Sequence, residues 1–306
     1  MAQYSVSEVI AKIRKQQRLT QMELSDEFIE RGHLSRIENG KHMPKKQVLE
    51  RLFEKLGYDP YSSVPIFMSK EEVEYQEMID KLDGLLKNKK VEESEIIIQC
   101  LENDNKFTDN KLFKQCLLSR KASVKTMKNK EPSEIREVLI EAIKISIPYY
   151  EEKDIEGYLL TKEDIGIITK LAALYEKENR LDEAIKLLKS LKLNFDSRFI
   201  DKLSKGDCYP SVAYNLAKSL YRFGNYEEAI EACDEGIECC LNINITRLLP
   251  SIVLIKAYCL CEFGDNENCI VLLRQAYYSN EMYKRTDVLD NIKNYAQEKG
   301  LDVVFH

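Results

Sequence analysis

Glycine and proline are scarce in this 306-residue chain, at eleven and seven residues. Few breakers, beside abundant Leu, Ile, Lys and Glu, favour an all-helical chain. No apolar run approaches the roughly 18 residues that a membrane helix needs. The start, MAQYSVSEVIAKIRK, is charged and amphipathic and has no signal-peptide core. The expected location is therefore the cytoplasm, with no membrane partner. Histidine occurs only at positions 33, 42 and 306. No nucleophile–base pair or metal constellation stands out, so neither an enzyme, nor a metal, nor a cofactor is expected. The nine cysteines are odd in number and all lie from Cys100 onward. Cys239 and Cys240 are adjacent, and Cys259 and Cys261 are one residue apart. Neither is a zinc-knuckle spacing, so buried free thiols are expected in preference to a metal or redox site.

What is present is a foldable chain, 44% hydrophobic and 32% charged. Its length allows two domains. The net charge is −6, but unevenly placed. Residues 1–66 hold eleven Lys/Arg against nine Asp/Glu, a net +2, which leaves −8 for the rest. An acidic protein can still dock on DNA where positive charge is local.

The first 66 residues read as four short helices and a linker. Ser5 and Glu8 have capping-box spacing, followed by an apolar stripe of Val6, Val9, Ile10 and Ile13. Thr20 and Glu23 repeat the capping box, and Leu24 and Phe28 share a face. Small Ser25 marks a place where a crossing helix comes close. A third helix over 31–39 turns Leu34 and Ile37 inward, and Gly40 stops it. A fourth, 45–56, carries Val48, Leu49, Leu52, Phe53 and Leu56. GYDPYSSVPIF (57–67) then reads as a linker.

A helix–turn–helix puts the second helix of its pair into the DNA major groove. Between inward Leu34 and Ile37 stand Arg31, His33, Ser35 and Arg36. Arginine pairs bidentately with guanine, so Arg31 and Arg36 are candidate base readers. Gly32 permits close approach. Gln21 at the start of helix two suits a phosphate. Lys41, His42, Lys45 and Lys46 add backbone contacts that make affinity salt-dependent. The competing possibility is a protein-binding helical bundle with a solvated charged face.

The residues L19-T20-Q21-x-x-L24-S25, L34-S35-R36-I37-E38-N39-G40 and Pro44 resemble the Cro/C1-type (XRE-like) helix–turn–helix domain. The turn here is one residue shorter than is usual there, similar to the subset attached to tetratricopeptide domains. The resemblance implies DNA binding. It implies a buried ion pair between Arg14 and Glu38, phosphate contacts at Gln21 and Asn39, and base reading at Arg31, Gly32 and Arg36, with His33 beside them.

Beyond residue 69 the pattern changes to long amphipathic helices. Segments 168–188, 214–233 and 254–273 repeat one spacing. Anchored on Ala184, Ala229 and Cys269, a small residue recurs twelve positions earlier, at Ala172, Ala217 and Ala257. Asn179, Gly224 and Gly264 occupy the turns. This is the helix–turn–helix unit of tetratricopeptide repeats, which stack into solenoids with a concave groove. Residues 72–160 read as degenerate repeats of the same kind, and 281–299 as a capping helix or helix pair. The expected fold is all-α: a helix–turn–helix domain with linker at 1–66, then a right-handed tetratricopeptide-like α-solenoid at 67–306 for ligand binding and dimerisation.

An XRE-like head before such a solenoid resembles the RRNPP family (Rgg/PlcR/PrgX type), most sharply in YNLAKSLYRFGNYEEAIEACDEGIECCLNIN (214–244). The resemblance implies a cytoplasmic transcription regulator that binds a double-stranded DNA operator as a homodimer. It also implies quorum sensing through a short linear signalling peptide in the concave groove. An asparagine amide both donates and accepts, which suits an extended peptide backbone. In the family, an asparagine in the YN-x-A context holds the peptide, which points to Asn215. Tyr214, Lys218, Tyr221 and Arg222 flank it, and Lys or Arg can take a peptide carboxylate. Tyr214 and Tyr221 as core, or Lys218 and Arg222 as solvated charges, are the plain alternatives. The positions equivalent to Asn215 are Lys170 and Ile255, so the family's other polar clamps are not evident. Lys170, Lys177, Glu176, Tyr258 and Glu262 are expected to line the groove. Two other classes compete. One is a phage- or plasmid-type regulator whose repeats bind a protein. The other is an enzyme-like antagonist of response regulators, whose repeat relatives lack this head.

Overall fold

The computed structural model describes residues 6–25, 28–42, 44–57, 70–158, 160–196, 202–242 and 244–305. They form sixteen α-helices with a 3₁₀ turn at Glu152–Gly157, and no strand occurs among the described residues. The chain divides into two compact units, Met1–Gly84 and Leu85–His306. The boundary expected after residue 66 falls within 58–69, outside the described residues.

The first unit opens with α1 (Val6–Gln16), α2 (Gln21–Ser25), α3 (Arg31–Glu38) and α4 (Lys46–Lys55). Ile10, Leu24, Leu34, Ile37, Leu52, Phe53 and Leu56 form a core at 0–1% exposure, with Ile13, Phe28, Val48 and Leu49 packed around it. The amphipathic periods of four short helices therefore converge on one cluster, which supplies the stability that helices this short lack alone. Ser25 is buried, as a close crossing requires. Thr20 and Glu23 make the reciprocal capping box: the Glu23 amide donates to Thr20 Oγ1 at 3.1 Å and the Thr20 amide to Glu23 Oε2 at 2.6 Å. α3 ends in a Schellman motif, with Gly40 at φ 68°. The Gly40 amide donates to the Ile37 carbonyl and the Lys41 amide to that of Arg36. The Ser5–Glu8 capping box and the Val6 and Val9 side chains lie outside the described residues.

α5 (Lys70–Lys87) runs through the division at residue 84. Then follow α6 (Val91–Glu102), α7 (Asn105–Asp109), α8 (Lys111–Met127), α9 (Pro132–Ser146), α10 (Lys162–Lys177) and α11 (Leu181–Asp196). α12 (Lys202–Phe223), α13 (Tyr226–Asn242), α14 (Leu249–Glu262), α15 (Asn266–Met282) and α16 (Thr286–Glu298) complete the chain. The repeat match begins at Tyr214, but its helix begins earlier, at Lys202, and runs through Pro210.

The anchors are where helix pairs close on one another. Ala172, Ala184, Ala217, Ala229, Ala257 and Cys269 are all at 0–1% exposure. Asn179, Gly224 and Gly264 adopt φ of 61°, 89° and 81°, the left-handed turn that ends the first helix of each pair. The same device recurs upstream. Asn129 (φ 50°) joins α8 to α9, and buried Ala122 and Ile135 flank it thirteen residues apart. Lys89 (φ 57°) stands in the turn between α5 and α6. The tail is one helix, α16, rather than a pair.

Two layers result. α8, α10, α12 and α14 pack successively on one another, while α9, α11 and α13 each pack between consecutive members of that row. Among the described residues, α9, α11, α13 and α15 make no comparable contact with one another. In a solenoid the row whose members touch lies on the inside of the curve, which assigns α8, α10, α12 and α14 to the concave face. Gly236 on α13 marks the tightest approach. A Cβ there would stand 2.9 Å from Ala213 Cβ on α12 and 3.1 Å from Ile252 Cδ1 on α14.

Candidate nucleic-acid interface and ligand groove

The α3 surface sorts by helical period. Leu34 and Ile37 face the core, and Gly32, Arg36 and Asn39 fall on the opposite side, all exposed. Arg31 is exposed on the first turn; His33 and Ser35 are half-buried beside the outer stripe. No side chain at Gly32 interrupts the surface, and nothing stands within 4 Å of where its Cβ would be. The His33 ring meets the His42 ring edge-on at 4.6 Å, which ties the loop after Gly40 back to α3. Lys41 and Lys45 lie exposed in and after that loop. The Lys46 side chain lies outside the described residues.

Glu38 breaks the basic pattern and is explained by the core. Arg14 Nε donates to Glu38 Oε1 at 2.6 Å and Arg14 Nη2 to Oε2 at 2.8 Å, a bidentate pair with both side chains at most 10% exposed. Arg14 Nη1 also donates to the Leu19 carbonyl at 2.7 Å, joining α1, the turn and α3. Gln21 Nε2 donates to Glu38 Oε2 at 2.7 Å. Burial alone would push the Glu38 carboxyl up. The hydrogen bonds from Arg14 and Gln21, with the charges of Arg14 and Lys15, outweigh it and hold the carboxyl below the ordinary value. The Glu38 hydrogen bond raises Arg14 in turn. The carboxylate is thus neutralised inside and does not oppose the phosphate backbone outside.

Two residues expected at phosphates have structural partners as well. Gln21 braces Glu38. Asn39 Nδ2 donates to the Ser35 carbonyl at 2.7 Å and lies 3.4 Å from Ser35 Oγ. Nothing in the sequence pattern signals these bonds, because each partner belongs to a different turn or helix.

On the concave face, residues at i, i+4, i+7 and i+11 form one stripe per helix. On α10 these are Gly166, Lys170, Ala173 and Lys177; on α12, Ser211, Asn215, Lys218 and Arg222; on α14, Ser251, Ile255, Tyr258 and Glu262. Asn215 is half-buried, and its Nδ2 donates to the Ser211 carbonyl at 2.7 Å, which directs the amide along the helix. Lys170 Nζ donates to Ser119 Oγ at 2.6 Å and to the Ser119 carbonyl at 2.9 Å, spanning to α8. Lys218 and Arg222 both reach Glu176, at 3.1 and 2.7 Å. Glu176 itself is buried at 3%, so it is a counter-ion beneath the groove rather than part of its lining. Glu262 is 2.7 Å from Lys299 on the tail.

Tyrosines close the C-terminal end. Tyr221 lies 5.9 Å from Tyr258 and 5.8 Å from Tyr226, and Tyr258 lies 4.1 Å from Tyr295 on α16. Tyr214 is half-buried against the core. Burial, then Tyr221 and Tyr214, push the Tyr258 phenol up to about 12, so it stays a protonated donor. None of the cysteines is in a disulfide. Cys233, Cys240, Cys259 and Cys269 are buried, and that burial pushes their thiols up, away from reactive thiolate. Among the described residues no cluster able to hold a metal occurs, and no helix there is long and apolar enough to cross a membrane.

Comparisons with known proteins match the two parts of the chain separately. A helix–turn–helix family model matches residues 10–61, and the RNPP family C-terminal domain model matches 75–297. No curated protein sequence matches the chain. Among solved structures, PlcR of Bacillus thuringiensis in complex with the peptide PapR7 and DNA is similar at a TM-score of 0.66 and 19% identity, covering 96% of this chain and 98% of that one. ComR from S. thermophilus in complex with DNA and its signalling peptide ComS gives 0.60 and 16%, covering 97% and 100%. The SHP pheromone receptor Rgg2 of Streptococcus dysgalactiae gives 0.64 and 11%, covering 96% and 99%. At such identities the likeness is one of fold. The C-terminal domain model spans most of the chain, and the chain belongs to the RNPP family.

Proposed function

We propose that this chain is a cytoplasmic, DNA-binding transcription regulator, controlled by a short linear signalling peptide held on the concave face of its repeats. The 1–66 head docks in the major groove through α3, and the 67–306 repeats bind the peptide and carry the homodimer contact. Arg31 and Arg36 read base edges past Gly32, with His33 and Ser35 beside them. Lys41, Lys45, Gln21 and Asn39 meet the backbone. Asn215 holds the peptide main chain, among Tyr214, Lys218, Tyr221, Arg222, Lys170 and Tyr258.

The observation that carries this is the segregation on α3. Every exposed charge on the helix is an arginine, while its one carboxylate is locked to Arg14. PlcR and ComR, which share this fold, are seen with both DNA and peptide, which supports assigning both ligands here. A two-fold dimer would read half-sites about one helical turn apart. The test is operator affinity, measured by anisotropy on duplex DNA selected from a random pool. Arg36→Ala should weaken binding about tenfold or more, whereas Lys186→Ala, on exposed α11 surface, should not. Equal affinities for the two variants would remove α3 from the interface.

A further inference from the structure

The repeat unit is acidic as a whole, yet the concave face of α10 and α12 carries the opposite sign. Lys177, Lys218 and Arg222 stand on those two stripes over Glu176, which lies beneath them, while nearer the helix starts Glu163 and Asp207 are matched by Arg120 and Lys162 respectively. Lys218 and Arg222 share that carboxylate, so one of their two positive charges has no equal there. Lys177 is exposed, and its Nζ meets a neutral oxygen, Asn129 Oδ1, at 3.3 Å. Beside these charges is a cavity of about 210 Å³ between α8, α9 and α10. Its floor includes Ala122, Met127, Leu139 and Leu174, and Lys170 and Lys177 also line it. Apolar depth next to ammonium groups fits one apolar side chain adjacent to a carboxylate.

We propose that the ligand of the groove is an acidic linear peptide. One of its large apolar side chains seats in the α8/α10 cavity, and its carboxylates face Lys177, Lys218 and Arg222. The inference rests on the peptide-binding function proposed above and specifies the ligand's chemistry. The cavity lies one repeat upstream of Asn215, so a peptide about five to seven residues long in extended form spans both. The net negative charge of the rest of the unit sharpens selection, because it disfavours an acidic ligand elsewhere on average.

The test uses the full chain and three pools of fluorescein-labelled linear heptapeptides. One combines Asp/Glu with Leu/Phe, a second Lys/Arg with Leu/Phe, and a third Asp/Glu with Gly/Ala. The acidic–apolar pool should bind about tenfold or more tighter than the basic one, the sum of a few partly screened ion pairs. Raising salt should shrink that gap. Lys177→Glu, an exposed change that keeps the core intact, should invert or erase it. Ala173→Phe, which fills the cavity, should reduce binding of the acidic–apolar pool to that of the acidic Gly/Ala pool. Equal or better binding of the basic pool would overturn the charge assignment while leaving peptide binding standing. Unchanged binding by Ala173→Phe would overturn the cavity assignment. Binding by none of the pools would overturn both this inference and the peptide-sensing function.

Discussion

Glu38 shows how a residue at odds with its surroundings identifies an internal partner. An acid in a helix whose exposed charges are arginines looks misplaced, yet its bidentate bond to Arg14 makes it the structural tie of the head. The pair was legible in sequence only through family resemblance, since no local spacing links positions 14 and 38. Gln21's share in it was not legible at all. Glu38→Gln should destabilise the head by about 3–5 kcal/mol, because it leaves Arg14 buried without its partner charge. The pH dependence follows. The folded carboxyl sits below its unfolded value, so its stabilisation is complete above the ordinary carboxylate range and disappears as pH falls through the depressed value. Urea unfolding of the wild type should therefore weaken on acidification below about pH 4.5 by more than that of Glu38→Gln. Parallel pH curves would refute this. Gly236 makes a second prediction. Glycine-to-alanine in a helix interior ordinarily stabilises, but here the new methyl meets Ala213 Cβ at 2.9 Å. Gly236→Ala should cost about 1–3 kcal/mol in denaturant unfolding, and a stabilised variant would show that the helices are free to separate.

At the scale of the helix pair, the repeats were readable wherever small anchors and a turn-permitting residue coincide. Ala172/Ala184 with Asn179, Ala217/Ala229 with Gly224, and Ala257/Cys269 with Gly264 all satisfy both conditions. The upstream pairs were readable only as helical, for two physical reasons. Their left-handed turns fall on Asn129 and Lys89, and lysine gives no turn signal. The α8/α9 turn is one residue longer, with Pro132 starting α9, so the twelve-residue comb misses Ala122 and Ile135. The left-handed turns predict a contrast. Gly224→Ala should lose about 1 kcal/mol to the Cβ penalty at φ 89°, whereas Asn179→Gly should be close to neutral, as thermal unfolding of the two variants will report. Equal effects would mean that the turns do not set the pairing. The groove stripe shows the opposite limit: Lys170 and Tyr258 were expected there from register and Asn215 through the family resemblance, but the burial of Glu176 beneath Lys218 and Arg222 required the packed α10–α12 interface.

At the scale of the whole molecule, the uneven charge becomes functional. A basic helical head suits a polyanion, and the proposed acidic ligand suits the cationic inner stripe of an otherwise acidic repeat unit. For the ligand to matter, its binding must bias the DNA-competent state of the proposed dimer, a coupling reciprocal between the two sites. Asn215→Asp places a carboxylate against the Ser211 carbonyl that Asn215 now donates to, and removes the amide donor from the groove without touching the head. The most direct measurement is therefore operator affinity of wild type and Asn215→Asp, with and without a saturating acidic–apolar heptapeptide pool. Wild-type affinity should change at least about fivefold with peptide, and Asn215→Asp should keep wild-type affinity without it and show no response. An operator affinity that ignores the bound peptide in the wild type would contradict the account.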